Sequence, residues 1–123
     1  MGSPVVIFLR GESWDARHLA VSLALTAAAL GDEVHVALFG GALRLFAAGR
    51  FDEGAPATAE AARVGSLADA LREARELGVR VVACDTALRV AGVDPGVAVP
   101  PLDGVVSLPS LWRLAQSGRA LTV

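Results

Sequence analysis

Pro4-Val5-Val6-Ile7-Phe8-Leu9 is a continuous apolar run with no charge and no polar side chain. A run this short and this uniformly apolar describes a strand buried on both faces, as in a parallel sheet with helices packed on it. The chain on either side of that reading supports it. Arg10 to Asp15 forms a turn in which Ser13 or Asp15 is placed to cap a helix. Trp14 to Leu30 is Ala- and Leu-rich and closes on Gly31, the pattern of a helix with a glycine stop. Glu33 to Phe39 reads as a second strand, Gly40-Gly41 as a tight turn, and Ala42 to Ala48 as a short helix ended by Gly49.

Arg50 to Gly65, with Gly54, Pro56 and several alanines, is expected to be a mobile loop with a helical turn near Thr58 to Ala62. Ser66 then caps a helix over Leu67 to Leu77, with Leu67, Leu71 and Leu77 as its apolar stripe and Arg72 and Glu76 as an i,i+4 pair. Val79 to Cys84 is a third strand and Thr86 to Ala91 a short helix stopped by Gly92. Gly96 to Leu102 is a connection, Gly104 to Leu108 a fourth strand, Pro109 to Gln116 a helix with proline at an early position, and Arg119 to Val123 a last short strand. The alternation predicts a three-layer α/β/α sandwich with a mostly parallel sheet of about five strands, in one domain over residues 1–123.

Composition narrows the function classes. Net charge is −2, which gives no electrostatic reason to bind nucleic acid or an anionic membrane surface. All 11 basic residues are arginine, excluding chemistry that needs a lysine Schiff base or a P-loop lysine. One cysteine excludes an internal disulfide and a cysteine zinc cluster. His18 and His35 are too few and too far apart to point to a metal site. Arg17 and His18, then Asp32 and Glu33, interrupt the longest apolar stretch before it reaches membrane-spanning length. The start of the chain has no signal-peptide pattern, so a cytoplasmic protein is expected. The hydrophobic share of 54% and mean hydropathy of +0.53 are high for so small a chain, and imply apolar surface buried between subunits.

In open parallel sheets, ligands bind beyond the carboxyl ends of strands, where the strand order reverses. Arg10 to Asp15, Gly40-Gly41, Cys84 to Thr86 and Ser107 to Ser110 meet at that edge. Cys84 is the candidate catalytic residue: it ends a strand and precedes a helix whose free N–H groups favour a thiolate. Asp85 opposes this if it points at the sulfur. The competing reading is a small buried hydrophobe, a common fate of free cysteine. Ser13, Trp14, His18, Gly40, Gly41, Asp85, Thr86 and Arg89 complete the candidate pocket. His18 would serve as a proton donor or as packing. Trp14 would line a pocket mouth or an interface, and Arg89 would hold an anion or face solvent. His35, alternating within its strand, is expected to be a satisfied sheet residue. The Gly11 to Asp15 turn lacks the spaced glycines of a dinucleotide loop, and no cofactor or metal is expected.

Leu77-Gly78-Val79-Arg80-Val81-Val82-Ala83-Cys84-Asp85-Thr86-Ala87-Leu88-Arg89-Val90-Ala91-Gly92-Val93 resembles the DsrE/DsrF-like (TusD-like) sulfur-relay family. That family has a Gly-Val turn into a strand, a cysteine at its end and a small helix closing on Gly-Val. Ser66-Leu67 and the Asp103-Gly104-Val105-Val106 stretch fit the same order of elements. The resemblance implies sulfane sulfur carried as a persulfide on Cys84 between donor and acceptor proteins, with the Arg50 to Gly65 loop as a cover. It also implies a homo-oligomer, a trimer or hexamer. Two other readings stay open: a non-catalytic, oligomeric ligand-binding or assembly module with a buried Cys84, and a thiol redox sensor whose resolving thiol comes from outside the chain.

Overall fold

The run at residues 4–9 lies inside the sheet. In a computed structural model describing residues 2–94 and 101–123, the elements follow the alternating order read from the sequence. They are β1 (Pro4–Leu9), α1 (Trp14–Ala29), β2 (Glu33–Leu38), α2 (Gly40–Ala47), α3 (Ala57–Ala61), α4 (Leu67–Glu76), β3 (Arg80–Ala83), α5 (Asp85–Ala91), β4 (Gly104–Val105), α6 (Leu108–Gln116) and β5 (Arg119–Thr122). Among the described residues the five strands form one sheet in the order β4-β3-β2-β1-β5, and all four pairings are parallel.

This order dictates the layers. From β1 to β4 the chain steps across the sheet in one direction, and from β4 to β5 it returns to the far side of β1. Right-handed crossovers then place the first three connections on one face and α6 on the other. The packing agrees. Val5, Ile7, Leu9, Val34, Val36, Leu38, Val81 and Ala83 form the large core with α1, α2, α4 and α5. Val6, Ala37 and Val82, which alternate with them, pack with Leu111 and Ala115 of α6 in a smaller core. A strand sandwiched in this way is apolar at consecutive positions, which is why residues 4–9 carry no polar side chain.

Ser13, Ser66 and Ser107 cap α1, α4 and α6, each accepting the N–H three residues on. Gly40 has φ of 51°, a left-handed conformation that leads β2 into α2 without a Cβ penalty. The fourth strand stops at Val105, earlier than its apolar run implied, because Ser107 takes the capping position and commits the chain to α6. Residues 96–100 of the expected connection lie outside the described residues. On α4, Leu67 and Leu71 are buried but Leu77 is the exposed C-cap, and Ala74 completes the stripe. Arg72 pairs with Asp69 at 2.7 Å rather than with Glu76.

The stretch expected as a mobile cover is tied down on the α1–α4 side. The Asp52 carboxylate accepts from Ser66 Oγ and from the Leu67 and Ala68 N–H groups at the start of α4. Phe51 packs edge-on against Phe46 in the large core. Arg17, 2% exposed, donates to the carbonyls of Phe51, Glu53 and Glu12. A cation, a carboxylate and an aromatic ring therefore fix the start of the stretch, at residues 51–53.

His35 of β2 alternates onto the α6 face with Ala37 and is half-buried. Its Nδ1 has no hydrogen-bond partner among the described residues, so it is not the satisfied sheet residue expected. Burial, with Arg80 acting in the same sense and Glu33 against it, holds its pKa below the usual histidine value. The unfolded chain then takes up the proton first. Stability supplied by neutral His35 is complete above the unfolded-state value and is lost as pH falls through the lower folded-state value. The urea midpoint of H35Q should fall less than that of wild type between neutral and mildly acidic buffer. Parallel midpoints would remove His35 as the source of the slope.

Candidate active site at the ends of β3 and β4

Cys84 follows the last residue of β3 and is the N-cap of α5, with φ −87° and ψ 155°. Its sulfur occupies the place that a serine oxygen takes at the other capped helices. The Ala87 N–H donates to Sγ at 3.3 Å. Cys84 is 6% exposed. The local sequence explains the geometry: Val81 to Ala83 are buried apolar strand residues, and Asp85 is the first helical residue.

Sheet order supplies the rest. The connection after β3 goes to α5 on the large-core face, and the connection after β4 goes to α6 on the opposite face. Adjacent strands whose following helices diverge open a crevice at their carboxyl ends. A cavity of about 480 Å³ lies there, lined by Phe39 and Gly40 after β2, Cys84 to Ala87 and Val90 of the α5 segment, and Ser107 to Pro109 at the start of α6. Ser107 Oγ and Ser110 Oγ are 2.8 Å apart.

Of the sequence-derived candidates, Cys84, Gly40, Asp85 and Thr86 line this recess. Gly41, expected in a turn, is buried in the first turn of α2, against the Glu12 side chain. Arg89 does not hold the sulfur; it pairs with Asp85 at 2.9 Å, and both side chains are 72% exposed. That pair takes up the Asp85 carboxylate along the solvent side of α5.

Ser13, Trp14 and His18 lie elsewhere, on α1. Ser13 is spent on the cap, and Trp14 stacks on His18 with ring centroids 4.7 Å apart. Trp14 borders a separate cavity with Glu12, Arg17 and Glu53, and His18 borders a groove between α1 and α4. No residue of the Arg50 to Gly65 stretch lines the Cys84 recess, so that stretch does not cover it. Ser107, Leu108 and Pro109 come from the Ser107 to Ser110 segment expected at this edge; the residues that sequence reasoning missed are Phe39, Ala87 and Val90, which add to the apolar wall. Among the described residues no cluster of three or more His, Cys, Asp or Glu is placed to hold a metal ion.

The sequence matches the DsrE/DsrF-like family over residues 5–122. The chain belongs to that family. Solved structures resemble this DsrE/DsrF-like chain over nearly its whole length. A protein of unknown function, MTH1491 from Methanobacterium thermoautotrophicum, superposes with a TM-score of 0.70 at 16% identity, covering 98% of this chain and 99% of that one. The ychN protein from E. coli gives 0.63 at 16% identity, covering 100% of both chains. A conserved protein of unknown function, BT1422 from Bacteroides thetaiotaomicron, gives 0.65 at 14% identity, covering 98% of this chain and 95% of that one. At these identities the likeness is one of fold. No curated protein sequence matches the chain significantly. Among the described residues no helix is long and apolar enough to cross a membrane.

Proposed function

We propose that this DsrE/DsrF-like chain is a cytoplasmic, single-domain sulfur-relay protein that carries sulfane sulfur as a persulfide on Cys84. The observation that carries the reading is the position of Sγ: at the base of an open crevice between β3 and β4, with an N–H directed at it. In the loading step the Cys84 thiolate attacks the outer sulfur of a donor persulfide, R–S–SH. The Sγ–S bond forms, the donor S–S bond breaks, and the electron pair leaves on R–S⁻, giving Cys84–S–SH. In the second step an acceptor thiolate attacks the same outer sulfur and the Cys84 thiolate departs. The Ala87 N–H stabilises negative charge on Sγ at the start of the first step and the end of the second. Donor and acceptor are other proteins, and neither step needs a cofactor.

The chain is proposed to work as a homo-oligomer, a trimer or hexamer. Trp112 is 60% exposed and Leu108 51%, one helical turn apart on α6, while β5 is an exposed edge strand. Such apolar surface is what subunit contacts remove from water.

One observation favours the second reading, an oligomeric binding or assembly module: the 6% exposure of Cys84. Mass spectrometry separates the two. The native protein, incubated with a persulfide-loaded donor, should gain the mass of one sulfur on the Cys84 peptide and lose it to an added acceptor thiol. A protein that gains none, and whose thiol reacts with iodoacetamide only in denaturant, is the binding or assembly module.

A further inference from the structure

We infer that the recess over Cys84 selects sulfur carriers by charge, admitting persulfides on an uncharged apolar group and turning away inorganic sulfur anions such as thiosulfate. The inference rests on the sulfur-relay reading and adds the class of carrier to it. Among the described residues no cationic side chain lines the cavity. The cation on the adjoining helix turn, Arg89, is engaged at 2.9 Å by Asp85, the one carboxylate among the described lining residues, so the pair offers an entering anion no net positive charge. The remaining wall is apolar at Phe39, Ala87, Val90, Leu108 and Pro109, with Gly40 and the hydroxyl residues Thr86 and Ser107 between them. An anion entering it gives up hydration for neutral hydroxyls and no cation, whereas an apolar group gains by leaving water. The volume of about 480 Å³ is enough to take a persulfide and the apolar group next to it on a carrier.

The bonds made and broken are then those of a persulfide with an apolar R. With benzyl hydropersulfide, the Cys84 thiolate takes the outer sulfur and benzylthiolate leaves. With thiosulfate, the same attack would expel sulfite and leave a persulfide, which balances equally. The difference lies in admission to the recess.

Reaction of native Cys84 with two methanethiosulfonates measures that difference without any relay partner. The thiolate attacks the sulfenyl sulfur, a mixed disulfide forms, and the sulfinate leaves in both cases. One reagent transfers a neutral methylthio group and the other an anionic sulfonatoethylthio group. With each rate divided by that of the urea-unfolded chain, the neutral reagent should be favoured by about tenfold or more, the discrimination expected from about 1.4 kcal/mol of uncompensated desolvation. Benzyl hydropersulfide should load Cys84 where thiosulfate does not. Val90→Arg, at a position 79% exposed in the lining, should raise the anionic rate relative to the neutral one by about tenfold. Equal normalised rates for the two reagents overturn the charge selection while leaving sulfur relay standing. If neither reagent modifies the native protein, the recess admits nothing and both readings fall.

Discussion

Replacing Arg17 with alanine is expected to destabilise the protein by about 3–5 kcal/mol, the range for breaking a buried charged network. Arg17 sits on α1 with 2% exposure, and its guanidinium is the donor for the Phe51, Glu53 and Glu12 carbonyls. Its carbon lies 5.7 Å above the centroid of the Phe51 ring. Its Nε has no hydrogen-bond partner among the described residues, and burial lowers its pKa against the opposing influence of Asp52 and Glu53. The cation is therefore kept at a cost in desolvation, and the carbonyls it satisfies are what offset that cost. Alanine removes the donors and leaves a hole beneath Phe51, so two penalties add: unpaired carbonyls at about 1–3 kcal/mol each where water cannot reach them, and lost packing. Urea unfolding of R17A measures the sum. Arg17→Lys keeps the charge but not the fork of donors, and should recover only part of the loss. A loss below about 1 kcal/mol for R17A would show that water replaces the guanidinium and that the 51–53 segment is held by Asp52 and Phe51 alone.

Nothing in the sequence marked Arg17 for this task. It stands in an Ala- and Leu-rich helix, where a lone arginine reads as an interruption of the apolar run. Its partners are main-chain carbonyls between 34 and 36 residues away, apart from Glu12. Backbone acceptors carry no side-chain signature, so no spacing of residue types could reveal them. The layers were legible for the opposite reason. Apolar runs such as residues 4–9, glycine stops such as Gly31 and Gly92, and serine caps such as Ser13 and Ser66 are local signals that each fix one element.

The site divides along the same line. Cys84 was legible because a strand end followed by a helix start is local. Leu108 and Pro109 were placed at the edge with Ser107 to Ser110, but their sharing one crevice with Cys84 and Val90 was not legible, because it follows only once β4 is known to lie beside β3 with its helix on the far face. Trp14 and His18 were assigned to the pocket because all strand ends share one sheet edge. That edge is long: β1, which leads into them, is separated from β3 by β2. Sharing an edge is weaker than sharing a crevice.

Cys84→Ser is expected to abolish sulfur loading while changing stability by less than about 1 kcal/mol. The two readouts separate what the sulfur does for the fold from what it does chemically. In the fold, Sγ is a cap acceptor for the Ala87 N–H at 3.3 Å and a small contributor to the large core. Serine is a stronger cap acceptor than cysteine and is the residue used at α1, α4 and α6. Against that gain stands the burial of a hydroxyl at a site 6% exposed, and the two effects oppose each other at about the same size. Chemically nothing offsets the change, since a hydroxyl neither ionises in the working range nor accepts sulfane sulfur. With unfolding followed in urea and loading followed by mass on the same preparation, the relay reading requires native-like stability with no sulfur gained. Loading that persists in C84S would mean that sulfur is bound without a covalent bond to the chain's one cysteine, and the persulfide mechanism would fail. A fall in stability of several kcal/mol would instead mark Cys84 as a packing residue whose sulfur the core requires, which is the property of the binding and assembly module.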